Sequence, residues 1–396
     1  MKKPYQRARS RDVMTVLANA RPAELDPSRL AGTRRQREDL ARITFDAPDG
    51  ASRRILMRPR AWLVPLGAVA VLATSAVVVG VPAQQEPHAG AGASAPSAGT
   101  TDPGGRLELL SVAEKVEAAA ADEGTYWQVT TRTENVDVVG EPGQRYSVHS
   151  TGTSKWSVGV HPGTKSLMVS NLDAKTGPRT AEDKARWRAA GSPRTAKSVN
   201  VPGGRKALGY QMGTRQPLVM RTDFDGKIYA LGPKNVSYQD LRELPTGHTE
   251  LRRLLERLYE QAGSAETGAG RTGYVFQQAV NLVTMPVQPA VRAAAYQVIA
   301  QLPGIRALGS TTDPLGREGI GFALATKWRT PLGSVEEQIV VNPSTAALLS
   351  RQSVLVEPSA ESQEAGLKAG TAMNYEATTR MGWAEKQITV PQNARR

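Results

Sequence analysis

The side chains best suited to chemistry are few and scattered. The four histidines are His88, His149, His161 and His248. No two stand at i, i+4 or at another metal-ligand spacing, and there is no H-E-x-x-H. The chain has no cysteine. That removes disulfides, a thiol nucleophile, Cys-based zinc or iron–sulfur sites, and lipidation of a Cys after an apolar leader. The serine elbow G-x-S-x-G is absent, as is a Walker A sequence. The glycines of "GREGIGFA" do not make G-x-G-x-x-G, because the sixth position counted from Gly319 is Leu324. The expectation is a non-enzymatic protein with no catalytic residue, no metal ligand and no cofactor. Residue types alone assign no ligand-binding residue.

Three weaker patterns remain. "AEDKARWRAAGSP" offers adjacent acids, Glu182 and Asp183, and Trp187 between Arg186 and Arg188. As a helix, this stretch places the acids at its N-terminus, where they suit the macrodipole. Trp187 then reads as a core anchor and Gly191 as the stop. "GSPR" (191–194) and "PGGRK" (202–206) set backbone N–H groups beside a cation, a combination that suits an anion. The ordinary reading of both is a plain loop.

Whatever these residues do depends on where the chain puts them. Trp62 to Val81 is 20 residues without a charge. At ~1.5 Å per residue it spans ~30 Å, the thickness of a bilayer's hydrocarbon core. Arg53, Arg54, Arg58 and Arg60 precede it, and no Lys or Arg follows until Arg106. That asymmetry keeps the N-terminus in the cytoplasm and exports the rest. Val81-Pro82-Ala83 resembles a cleavage site. A signal peptide, however, has an apolar run of about 7–15 residues behind a short basic start. A retained single-pass anchor in the cell membrane is therefore expected.

The formal charge of +13 is uneven. Residues 1–60 hold 15 Lys/Arg against 7 Asp/Glu. No aromatic interleaving accompanies this basic density, so it reads as a positive-inside flank, with the bilayer and not nucleic acid as partner. The expected organisation is a basic cytosolic segment with two short helices (1–61), a transmembrane helix (62–81), a disordered Ala/Gly/Pro/Ser linker (82–105) and an extracytoplasmic domain (106–396). The cytosolic helices could lie on anionic lipid or dock a regulator such as a sigma factor.

From Arg106 the pattern becomes globular. "RLELLSVAEKVEAAAADEG" predicts a helix to Gly124 with Leu107, Leu110, Ala113 and Val116 on one side. Strand-like runs follow, among them "TYWQVTTRTENVDVVG", where Trp127, Val129 and Thr131 alternate with polar residues. "VMRTDFDGKIYALG" predicts a hairpin turning at Asp225-Gly226. "GHTELRRLLERLYEQAG" predicts a helix with Leu251, Leu254, Leu255 and Leu258 as its stripe. Two more helices should break between Pro286 and Pro289, and late strands turn at Asn342-Pro343. Hairpin-length connections predict α+β with an antiparallel sheet.

The chain resembles the actinobacterial single-pass membrane proteins of unassigned function. The resemblance is carried by "LANARPAELDP", "TAEDKARWRAAGSP", "LPTGHTELRRLL" and "PAVRAAAYQVIAQLPGIRALGSTTDPLGREGIG". It implies one transmembrane helix, a loose linker and an extracytoplasmic domain, and it brings no catalytic residues. The order of elements is also similar to bacterial lipoprotein carriers, whose curved half-barrel sheet closes with helices around an apolar cavity. That likeness implies a curved, half-barrel-like sheet with packed helices. It also implies a bound lipid or other apolar ligand, lined by Trp127, Val129 and Trp156. The alternative is an outer domain that binds a protein partner and signals inward.

Overall fold

The strand-patterned runs build one large antiparallel sheet. The computed structural model describes residues 103–119, 123–161, 163–199, 209–222, 227–262 and 270–395. Three long strands come first: β1 (Tyr126–Val139), β2 (Tyr146–Gly159) and β3 (Ser166–Pro178). Short elements follow: helix α2 (Ala181–Ala189), then β4 (Thr195–Lys197), β5 (Gly209–Gln211), β6 (Gly213–Thr214) and β7 (Leu218–Thr222). Five late strands complete the sheet: β10 (Ile305–Thr312), β11 (Glu318–Thr330), β12 (Gly333–Val341), β13 (Leu348–Pro358) and β14 (Ala372–Ala384). The sheet runs β10-β11-β12-β13-β14-β1-β2-β3-β6, with β7 also on β3. The α+β class with a large antiparallel sheet, expected from the alternation, is therefore what forms.

Four helices pack on one side of it: α1 (Pro103–Glu117), α4 (His248–Ala262), α5 (Gly270–Thr284) and α6 (Pro289–Ala300). Their apolar stripes merge with strand residues into the main core. In α4, Leu251 and Leu255 are fully buried and Leu258 nearly so, with Leu254 at the margin. Each such leucine contributes about 1.5–3 kcal/mol on burial. Helices α5 and α6 break where the prolines demanded it, with Pro at the start of α6. Arg292 of α6 reaches back to the last carbonyls of α5 and the turn after it. Its Nε donates to Val283 O (2.9 Å), in the last turn of α5, and its Nη2 to Met285 O (3.0 Å), which Val287 N also reaches.

Two sequence expectations are corrected. Helix α1 stops at Glu117, short of Gly124, and its inward face keeps Ala113 and Val116 as expected but not Leu107. Leu109, Val112, Ala113 and Val116 are buried, while Leu107 is 67% exposed. The apolar run is dense enough to fit more than one phase, and packing on α6 and β10 selects this one. Among the described residues, the strands flanking Asp225-Gly226 pair elsewhere and not with each other. β7 pairs with β3, whereas β8 (Tyr229–Leu231) pairs with β9 (Lys234–Val236). Tyr229 and Leu231 are drawn into the helical core instead, and a one-turn helix α3 (Tyr238–Arg242) follows.

The motif "TDPLGREGIG" is a structural clamp. The Asp313 carboxylate accepts from the N–H groups of Leu315 (3.0 Å) and Arg317 (2.8 Å) and from Arg317 Nε (2.9 Å). Arg317 in turn donates to the carbonyls of Thr378 and Leu349 (2.7 Å each). This ties the β10–β11 turn to β13 and β14. Gly319 beside it has to lack a side chain, since a Cβ there would lie 2.8 Å from Val341 O.

The predicted transmembrane run 62–81, the basic segment 1–61, the spacer up to residue 102 and the Asp225-Gly226 turn lie outside the described residues. Among the described residues no helix is long and apolar enough to cross a membrane.

Candidate functional site: a charged recess on the helix-facing side of the sheet

Strand alternation decides which residues face the helices. Trp127 of β1 pairs with Val158 of β2, a member of the helix-packed core. Val129, Thr131 and Thr133 share its side. Thr133 pairs with Glu376 of β14, Glu376 with Arg351 of β13, Arg351 with Ile339 of β12, and Ile339 with Phe322 of β11. Ile339 and Phe322 belong to the same core. One row of five strands thus runs from apolar to charged to hydroxylated residues on the side facing the helices. In the next row Glu337 lies between Leu324 and Ser353.

These charges converge. Arg351 Nη2 donates to Glu376 Oε2 (2.8 Å), and Nη1 donates to Asn281 Oδ1 of helix α5 (2.8 Å). Ser353 Oγ donates to Glu337 Oε1. Arg351 and Glu376 are half-buried, with 25% and 19% of their side chains open to solvent. Glu337 is half-buried as well. Burial works against the Arg351 charge, but Glu376 outweighs it and holds the guanidinium above its ordinary range. Glu337 fares differently. Burial pushes its carboxyl up to about 7, against the opposing pull of Ser353 and Arg351. One carboxylate is thus firmly paired and the other sits near half-protonation at neutral pH. One step along β1, Thr131 is 1% exposed and its Oγ1 has no hydrogen-bond partner. It lies between Thr378 and Ser154 in register.

A second buried carboxylate lies further along β1. Asp137 accepts from Tyr210 OH of β5 (2.6 Å) and Val138 N (2.7 Å), and burial still raises it to about 6. Both of its oxygens are occupied, so it ties β5 to the sheet.

The residues singled out by sequence are placed apart from this recess. Trp127, offered as cavity lining, is packing. It is 5% exposed, donates Nε1 to Thr284 O (2.9 Å), and meets Trp383 edge-on at 5.1 Å and Arg292 at 5.7 Å. Trp156 pairs with Val129 on the same face and is partly buried against the core. Glu182 and Asp183 do start helix α2. Asp183 closes a capping box with Thr180 and also accepts from Ser147 N and Oγ (2.7 Å each). Trp187 packs beside a small cluster of Val139, Tyr146, Val148 and Tyr210, and Gly191 follows the helix at φ +84°. In "GSPR" the Pro193 and Arg194 carbonyls are taken by Trp187 Nε1 and Met212 N. His149 Nδ1 lies 2.8 Å from Glu134 Oε1 on the other face of the sheet. His161 O accepts from Thr164, and His248 opens α4. His88 and "PGGRK" lie outside the described residues. Among the described residues no group of His, Asp and Glu gathers to hold a metal ion.

Sequence reasoning missed Glu337, Arg351, Glu376 and Asn281. A usable signal was present. In "VEEQIVV" Glu337 is in phase with Val335, Ile339 and Val341, so an acid occupies an inward position of an apolar alternation. No protein-family model matches the chain, and no curated protein matches it.

Proposed function

We propose that residues 103–395 form a non-enzymatic ligand-binding domain that receives a small polar ligand, or the polar head of an amphiphile, in the recess around Arg351, Glu376, Glu337 and Asn281. The observation that carries this is a group of charged side chains on the helix-facing side of the sheet that stay partly open to solvent beside a packed apolar core. Enclosed ions are ordinarily saturated by partners, because desolvation is costly. Here the apolar inward residues Phe322, Leu324 and Ile339 are fully packed, and the surface left open is polar. The ligand group read by the site is therefore polar, whatever apolar part it carries.

Binding is favoured over catalysis for a geometric reason. Ser353 beside a near-neutral Glu337 has the composition of a nucleophile and base. It sits in mid-strand, however, where neighbouring backbone N–H groups belong to the sheet ladder and do not converge as an oxyanion hole. The bulges in β13 and β14 would bend the sheet toward a half-barrel around the site. The uncharged run Trp62–Val81, with arginines on one flank, would anchor this domain outside the cytoplasmic membrane, in keeping with the single-pass proteins the sequence resembles.

The test uses the full chain purified in dodecyl maltoside and native mass spectrometry. A retained small-molecule adduct is expected, released in Arg351→Met and Glu376→Gln. An adduct-free wild type that also binds no added lipid or metabolite refutes the proposal.

A further inference from the structure

We infer that the ligand presents an ammonium group, received by the Glu337 carboxylate. The inference rests on the binding role proposed above and adds the chemistry of the ligand. In the recess, acceptors outnumber uncommitted donors. Arg351 spends Nη1 on Asn281 and Nη2 on Glu376. Ser353 spends its hydroxyl proton on Glu337. That bond is the one Glu337 makes with a described residue through its side chain, and it uses Oε1. No described group donates to Oε2, and the residue is half-buried rather than closed off. A carboxylate accepts two or more hydrogen bonds at each oxygen, so a ligand that donates completes the site and a ligand that only accepts does not.

Charge selects among donors. Two carboxylates, Glu337 and Glu376, face one guanidinium, Arg351, and Glu376 already has its cation at 2.8 Å. An incoming cation neutralises the remaining carboxylate. An incoming anion would add to the excess. An ammonium brings three N–H donors and a positive charge to this carboxylate, whereas a neutral alcohol brings one donor and no charge.

An ammonium could belong to a lipid head or to a soluble amine, and the experiment separates them. The full chain in dodecyl maltoside at pH 8 is titrated in two pairs, phosphatidylethanolamine against phosphatidylglycerol, and ethanolamine against ethylene glycol. The expected result is a preference of at least tenfold for the amine member of one pair, reduced to near parity in Glu337→Gln. Preference in the lipid pair identifies a headgroup, and preference in the soluble pair alone identifies a free amine. Glu134→Gln, on the opposite face of the sheet, keeps the wild-type preference. Equal binding within both pairs, or tighter phosphatidylglycerol, overturns the ammonium while leaving the ligand-binding role intact. If no member of either pair binds and the purified chain carries no adduct, both fall together.

Discussion

The Asp313–Arg317 clamp and the Glu337–Arg351–Glu376 recess use the same ingredients to different ends. Each sets guanidinium against carboxylate inside the protein, and each arginine also ties down neighbouring elements. In the clamp the ledger of hydrogen bonds closes. Asp313 has no exposed side-chain surface and takes four donors, and Arg317 covers two backbone carbonyls as well. In the recess it stays open. Arg351 has its pair, but Glu337 holds a single hydroxyl and keeps solvent contact. The difference separates a joint from a site. A saturated ion pair fixes geometry, and an unsaturated one keeps interaction energy in reserve for something that arrives.

Four substitutions can break or sharpen this contrast. The largest effect belongs to the clamp. Arg317→Met leaves Asp313 as an unpaired buried charge and frees two carbonyls, so urea unfolding at pH 7 should show a loss of about 3–5 kcal/mol. Arg351→Met should cost less, about 2–3 kcal/mol at pH 8, because water already reaches both partners. Equal losses for the two arginines would make the recess merely another joint.

Glu337→Gln should go the other way, toward higher stability. The folded carboxyl titrates at about 7, above its ordinary 4.5. As pH rises past 4.5 the unfolded chain releases this proton first, so wild-type stability falls between about pH 4.5 and 7 and then levels off. The variant lacks that fall and should be more stable than wild type by about 2 kcal/mol at pH 8, with allowance for the open surface. Parallel curves for variant and wild type from pH 4.5 to 8 would show that the carboxylate is comfortable where it is. Ser353→Ala has the smallest effect, about 1 kcal/mol at pH 8. Its sharper signature is the Glu337 carboxyl signal in NMR, whose midpoint should rise, because the hydroxyl that favours the ionised form is gone.

How much of this was legible in the residues follows from what each element answers to. Helices α4, α5 and α6 were readable because their leucine spacing and the Pro286–Pro289 break act locally. The long strands were readable from alternation. Helix α1 was found with Ala113 and Val116 inward as expected, but its first turn was misjudged, since Leu107 and Leu109 are equally apolar and contact with α6 and β10 chooses between them. The β7–β8 hairpin failed because its partners lie far off in sequence, on β3 and in the helical layer. The recess was invisible for the same reason. Asn281, Glu337, Arg351 and Glu376 lie on four elements spread over almost a hundred residues, and strand register together with the packing of α5 brings them together.

The pairing of β14 with β1 carries a consequence in time. The strand that begins the sheet and the strand that ends it are neighbours at its middle, so residues Tyr126–Asn135 wait for residues Asn374–Ala384. Until about two hundred and fifty further residues have been synthesised, each half of the sheet has a raw edge. Such late, long-range closure makes folding slow and the growing chain vulnerable to pairing with the wrong partner. It also makes the seam all-or-none: a chain cut short before β14 would forfeit the centre of the sheet and not merely its margin.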